Sequence, residues 1–149
     1  MEINNLKICL AGLENIDDIL HIEKYSLEEC EIYSQNIIEE NLNNLINLIA
    51  IYDDKPVGYI CCSYIYDEAE LLKICVLPDF QNKKIGYNLL NQMIRELKEK
   101  LVKSIFLEVR SCNEKALSFY YKYGFKKIST RANYYSDGTN AEILKYIIP

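Results

Sequence analysis

The 149-residue sequence predicts a mixed α/β fold, a mostly antiparallel central sheet flanked by helices, in a single domain over residues 1–149. Three observations predict it. Short apolar segments rich in Ile, Val and Tyr recur between turn signals, as strands do. One long stretch, residues 85–101, repeats its apolar residues at helical spacing with charges between them. Strands precede and follow that stretch, which makes a β-α-β unit in the second half of the chain. At this length one domain can bury a proper core.

The elements follow in order. Lys7 to Leu10 reads as a short strand. Ile16, Ile19, Leu20 and Ile22 then suggest a helix, with Asn15 or Asp17 as a cap. A second helix is expected over Glu28 to Leu42. Leu45 to Tyr52 reads as a strand, closed by the turn signal Asp53-Asp54-Lys55-Pro56. Val57 to Tyr66 and Ala69 to Leu77 are two further strands, and Pro78 ends the second. Ile85, Leu89, Leu90, Met93, Ile94, Leu97 and Leu101 form the helical stripe. Ser104 to Val109 alternates, with Ile105, Leu107 and Val109 on one face and Phe106, Glu108 and Arg110 on the other. Asn113 opens a helix through Lys122 that Gly124 stops. Lys126 to Thr130 and Ala141 to Ile148 are final strands, joined by a loop holding the turn pair Asp137-Gly138.

Composition narrows the function classes. Half the residues are apolar and 26% are charged, as in ordinary globular proteins. No apolar run approaches the roughly 20 residues a membrane helix needs, and the first eighteen residues show no secretory pattern. A cytoplasmic protein with no membrane partner is expected. The net charge of −5 speaks against a general nucleic-acid binder and would suit a cationic amine or peptide. Six cysteines, Cys9, Cys30, Cys61, Cys62, Cys75 and Cys112, form no CxxC pair, and His21 is the only histidine. No metal site is expected, and the thiols read as reduced and mostly buried.

The segment that promises chemistry is Gln81-Asn82-Lys83-Lys84-Ile85-Gly86. It lies between a strand and a helix, where unpaired backbone N–H groups meet the positive end of the helix dipole. A pyrophosphate suits such a place, and Lys83 and Lys84 add charge. A basic solvated turn, with Gly86 present for close packing, would explain the same residues.

The run Val76-Leu77-Pro78-Asp79-Phe80-Gln81 through Gly86, followed by Leu89-Leu90, resembles the acetyl-coenzyme A motif of the GNAT family of N-acetyltransferases. Leu107 to Asn113 and Ala116 to Phe125 resemble the family's later motif. The resemblance spans the element order of nearly the whole chain and is strongest from Ala69 to Tyr135. Within the family, His21-Ile22-Glu23, Asp67 to Leu71 and Asn133-Tyr134-Tyr135 are similar to the bacterial RimI-type branch, which acetylates the N-terminal alanine of a ribosomal protein. Three departures stand out. Lys84 occupies the place of the motif's first glycine, no tryptophan answers the branch's Phe-Pro-Trp, and Ala141-Glu142 reverses an acidic-alanine pair.

The resemblance implies acetyl-coenzyme A as cosubstrate, held by Ile74, Val76, Gln81, Asn82, Lys83, Lys84, Ile85, Gly86, Asn113 and Tyr120. It implies that the Val76 N–H polarises the thioester carbonyl, that Glu108 accepts the amine's proton and that Tyr120 protonates the leaving sulfur. Tyr121 is the rival for that last role; spacing from Gly124-Phe125 in the family selects Tyr120. Tyr134 and Tyr135, with Glu108, would hold the acceptor. The residues alone also allow plainer readings: Glu108 as a solvent-facing strand residue, Tyr120 as packing, Asn113 as a helix cap and His21 as structural. The expected acceptor is a protein N-terminal α-amine, as of a ribosomal protein. A small amine such as a polyamine, amino acid or aminoglycoside is the alternative, and a non-catalytic acyl-coenzyme A sensor a further one. Monomer and homodimer are both compatible with the sequence.

Overall fold

A computed structural model describes residues 5–149; the opening residues of the leader reading therefore fall partly outside it. Among the described residues seven strands and four α-helices form a mixed α/β architecture with strand order β1-β2-β3-β4-β5-β7-β6. By contacts the chain divides into two compact units. The first holds residues up to Ser63 and Leu72–Glu96; the second holds Tyr64–Leu71 and Leu97–Pro149.

In the first unit, β1 (Leu6–Leu10) pairs antiparallel with β2 (Ile46–Tyr52), and β2 with β3 (Lys55–Ile65). Asp53 and Asp54 join β2 to β3 with φ of 48° and 64°, the doubly left-handed pair of a two-residue hairpin. The turn is thus two residues long, and Lys55 and Pro56 belong to the strand, opposite Tyr52 and Ile51. Helix α1 (Ile16–Ser26) buries Ile19 and Ile22 completely. Helix α2 spans Gln35–Asn44, beginning later than expected. Ser34 accepts a hydrogen bond from the Ile37 N–H and caps it, while the Tyr33 N–H is drawn to the Glu23 carboxylate. Residues 29–31 form only a 3-10 turn. A Cβ on Gly58 would stand 2.8 Å from the Cys75 carbonyl oxygen, so glycine alone lets β3 approach β4 (Glu68–Val76) there. Helix α3 (Ile85–Glu99) buries Ile85, Leu89, Leu90 and Met93 at 1% exposure or less, the stripe its period predicted.

In the second unit, the first part of β4 pairs parallel with β5 (Ser104–Arg110), with Glu70 opposite Phe106. β5 pairs antiparallel with β7 (Ala141–Ile147), and β7 with β6 (Lys126–Arg131). Ile105, Leu107 and Val109 are buried and Phe106, Glu108 and Arg110 are not, so the two faces of β5 fall as the alternation requires. Leu101, expected inside the preceding helix, instead lies beyond its end at φ 65° and is largely exposed. Its N–H bonds the Lys98 carbonyl and that of Val102 the Leu97 carbonyl, closing α3 in a Schellman turn. Helix α4 (Glu114–Tyr123) ends the same way at Gly124, φ 124°.

Only half of the cysteine expectation holds. All six are free, but Cys9, Cys30 and Cys112 are exposed while Cys61, Cys62 and Cys75 are buried. Among the described residues no helix is long and apolar enough to cross a membrane, and no cluster of His, Cys, Asp or Glu could hold a metal ion.

Candidate active site

The candidate coenzyme residues lie in the first unit. Ile74 and Val76 end β4, and the Gln81 side chain donates from Nε2 to the Val76 carbonyl oxygen at 2.9 Å. That bond ties the loop back to the strand it leaves. Asn82 and Lys84 are both left-handed, at φ 60° and 65°. Such turns point successive N–H groups toward one side, the concavity that suits an anion. Asn82, Lys83 and Lys84 are exposed, whereas Ile85 is buried and anchors the first turn of α3. The Lys84 carbonyl accepts from the Asn88 backbone N–H and from its side-chain amide, which fixes where the helix begins. The N–H groups of the first turn have no carbonyl within the helix. Backbone shape, basic side chains and helix end together fit a pyrophosphate. Lys84 holds the left-handed conformation with a side chain, at a cost of roughly 1–2 kcal/mol.

The second unit carries the proton-transfer candidates. Glu108 sits on β5 opposite Ile143 of β7, its side chain 29% exposed. Tyr134 donates its hydroxyl to that carboxylate, and the bond pushes the phenol pKa above its ordinary value. Tyr135 makes a ring-on-edge contact with Tyr134 at 5.1 Å. The guanidinium of Arg110, two residues after Glu108 on the same face, lies 4.0 Å from the Tyr135 ring centre and donates to Asp137 at 3.0 Å. The Asp137 carboxyl is held below its usual range, first by its hydrogen bonds from Thr139 and then by Arg110. Asp137-Gly138 forms the expected turn, with the Gly138 N–H on the Tyr135 carbonyl and φ 87°. The loop between β6 and β7 is therefore braced on β5, and its bracing sets Tyr134 on Glu108.

Tyr120 is buried at 8% exposure while Tyr121 is exposed at 45%. The difference follows from the helix end. The Phe125 N–H reaches back to the Tyr120 carbonyl and the Gly124 N–H to those of Tyr120 and Tyr121. In a Schellman turn the residues in those two places pack together, and the rings of Tyr120 and Phe125 lie 5.5 Å apart. Counting back from Gly124-Phe125 thus has a physical basis. Asn113 caps α4, accepting from the Ala116 N–H at 3.1 Å, so the plainer reading of that residue holds whatever else it does. His21 is exposed, and its ring makes a tilted contact with Tyr25 at 4.7 Å. The reversed Ala141-Glu142 puts Glu142 against β6, where Thr130 and Lys127 hold its carboxylate below the usual range.

Arg110 and Arg131 were not picked out as site residues by sequence. Arg110 carried a usable signal, its place on the Glu108 face of β5. Arg131 ends β6 and reaches Glu108 at 3.6 Å, a pairing across β7 that no local pattern announces.

The profile of the Acetyltransferase (GNAT) family matches residues 13–125, and the chain belongs to that family. It is similar to the [ribosomal protein bS18]-alanine N-acetyltransferase of Haemophilus influenzae, 40% identical over 90 residues, which are 60% of this chain and 61% of that protein. It is also similar to the N-alpha-acetyltransferase of Saccharolobus solfataricus, 28% identical over 90% of this chain and 88% of that one. The crystal structure of the ribosomal-protein-S18-alanine N-acetyltransferase from Escherichia coli superposes with a TM-score of 0.87 at 28% identity, covering 96% of this chain and 94% of that one. The mixed α/β fold read from the sequence is the fold of that crystal structure.

Proposed function

We propose that the chain transfers the acetyl group of acetyl-coenzyme A to the N-terminal α-amine of a protein, in the cytoplasm. The observation that carries the proposal is Glu108, an acid left accessible on β5 and oriented by the Tyr134 hydroxyl. The names of the relatives support the acceptor class: one is a [ribosomal protein bS18]-alanine N-acetyltransferase and the other an N-alpha-acetyltransferase. A ribosomal protein whose chain begins with alanine is the acceptor they favour.

The thioester of acetyl-coenzyme A supplies an activated acyl carbon. Ile74, Val76 and the Gln81–Gly86 loop would bind the coenzyme, with Lys83 and Lys84 offsetting phosphate charge and Asn113 and Tyr120 completing its contacts. The Val76 N–H would stabilise negative charge on the carbonyl oxygen. Glu108 takes the proton from the attacking amine, directly or through water, and Tyr120 gives one to the departing sulfur. A phenol is normally protonated at neutral pH and so can act as the acid. Tyr134 and Tyr135 hold the chain end over Glu108, where an extended peptide gains main-chain contacts that a small amine lacks.

An acceptor panel tests the reading. A short peptide beginning with alanine should show a higher kcat/KM than free alanine or spermidine. A free amino acid or polyamine that beats every peptide would transfer the chain to the small-amine branch of the family.

A further inference from the structure

Glu108 does not meet an incoming amine as an open anion. Arg131, the last residue of β6, places Nη1 3.6 Å from Glu108 Oε1. The same guanidinium lies 5.6 Å from the ring centre of Tyr134, whose hydroxyl bonds the same carboxylate. Glu70, on the stretch of β4 paired with β5, is the other acid whose charge reaches this place. An acceptor therefore approaches a carboxylate already paired with a permanent cation.

We infer that Arg131 is a specificity-determining residue that disfavours acceptors arriving as cations and so leaves weakly basic α-amines as the preferred substrates. The inference rests on Glu108 being the base of the proposed reaction. An α-amine titrates near 7.7–8, so near neutral pH an appreciable fraction is already uncharged. A lysine side chain titrates near 10.4, leaving roughly one molecule in a thousand neutral there. Polyamines carry several such charges. A strongly basic acceptor must be bound as a cation and deprotonated in place, for which it needs the carboxylate's full attraction. Arg131 competes for that attraction and repels the second cation. An α-amine that enters neutral forgoes little. The Arg131 side chain is 59% exposed, so solvent and salt limit the discrimination this one charge supplies.

The test compares Arg131→Gln and Arg131→Lys in the full chain. For each, kcat/KM is measured with spermidine and with a peptide that begins with alanine and carries no charged side chain, near neutral pH, at low and high ionic strength. Arg131→Gln should raise the spermidine-to-peptide ratio about 1.5- to fivefold at low salt, the range open to an exposed ion pair. The gain should shrink at high salt, and Arg131→Lys should keep the original ratio. An unchanged ratio in Arg131→Gln, or an equal fall for both acceptors, would mean that Arg131 only braces Tyr134, and the inference fails. Failure of the functional reading looks different: spermidine would outrun the peptide in the unaltered enzyme, overturning both.

Discussion

Tyr59 on β3 donates its hydroxyl to the carboxylate of Glu23 on α1, an acid with no exposed surface. The other carboxylate oxygen accepts the Tyr33 N–H at 2.7 Å and faces the Lys73 ammonium at 3.7 Å. Lys73 in turn lies over the Tyr33 ring and donates to the Glu31 carbonyl oxygen. One buried carboxylate thus ties α1, the connection from α1 to α2, β3 and β4 together. Burial, then the charges of Cys75 and Glu23, push the Tyr59 phenol far above its ordinary pKa, so it remains a donor. Tyr59→Phe removes a donor from a buried charge, which costs about 1–3 kcal/mol. Denaturant unfolding should show that loss, and a double-mutant cycle with Glu23→Gln should show coupling between the two. Additive effects would mean that the bond is not a stabilising one.

Lys84 gives a prediction with two opposed signs. Its φ of 65° favours glycine, so Lys84→Gly should relieve strain, less the roughly 0.5–1 kcal/mol of added chain entropy that glycine loses on folding. Stability should rise by up to about 1.5 kcal/mol. Affinity for acetyl-coenzyme A, read as the thermal shift at fixed ligand, should fall because a cation leaves the loop. A variant that is less stable without ligand would show that the lysine side chain packs rather than strains.

The thiols should separate into two sets. Cys9, Cys30 and Cys112 are exposed and should react with a thiol reagent in the folded protein; Cys61, Cys62 and Cys75 should wait for unfolding. Burial, reinforced by Glu23 and opposed by Lys73, pushes the Cys61 thiol from 9.0 up to about 12. Its folded pKa is raised, so the stability it contributes is intact below pH 9 and lost as pH climbs toward 12. Cys75 is shifted the same way for the same first cause. Alkaline unfolding curves of Cys61→Ala should be flatter over that window than those of the unaltered chain.

Which features could be read beforehand follows from their range along the chain. The α3 stripe as far as Leu97, the alternation of β5 and the Asp137-Gly138 turn are local, and each appears where its period or residue pair puts it; Leu101, the last expected member of the stripe, does not. The burial of Tyr120 and the exposure of Tyr121 are local too, being set by the cap at Gly124-Phe125. The late start of α2 was not local, because Tyr33 is held out of the helix by Glu23, ten residues earlier. Arg131 on Glu108 required the strand order β5-β7-β6, which periodicity does not supply. Cys9 is exposed for a similar reason: among the described residues its strand β1 lies at the sheet edge beside β2, so its apolar surroundings in sequence do not bury it, while Cys30 and Cys112 lie in turns.

The central claim is that Glu108 removes a proton and Tyr120 supplies one during acetyl transfer to a peptide α-amine. The direct measurement is steady-state kcat with saturating acetyl-coenzyme A and an alanine-initiated peptide for Glu108→Gln, Tyr120→Phe and Tyr121→Phe. Tyr120→Phe should lose roughly 10²–10⁴-fold, the usual worth of a general acid, with coenzyme affinity little changed. Glu108→Gln should lose most near neutral pH and less at high pH, where the amine is already deprotonated. Tyr121→Phe, altering an exposed ring, should turn over like the unaltered chain. Equal losses in the two tyrosine variants, or full activity in Glu108→Gln at neutral pH, would contradict the account.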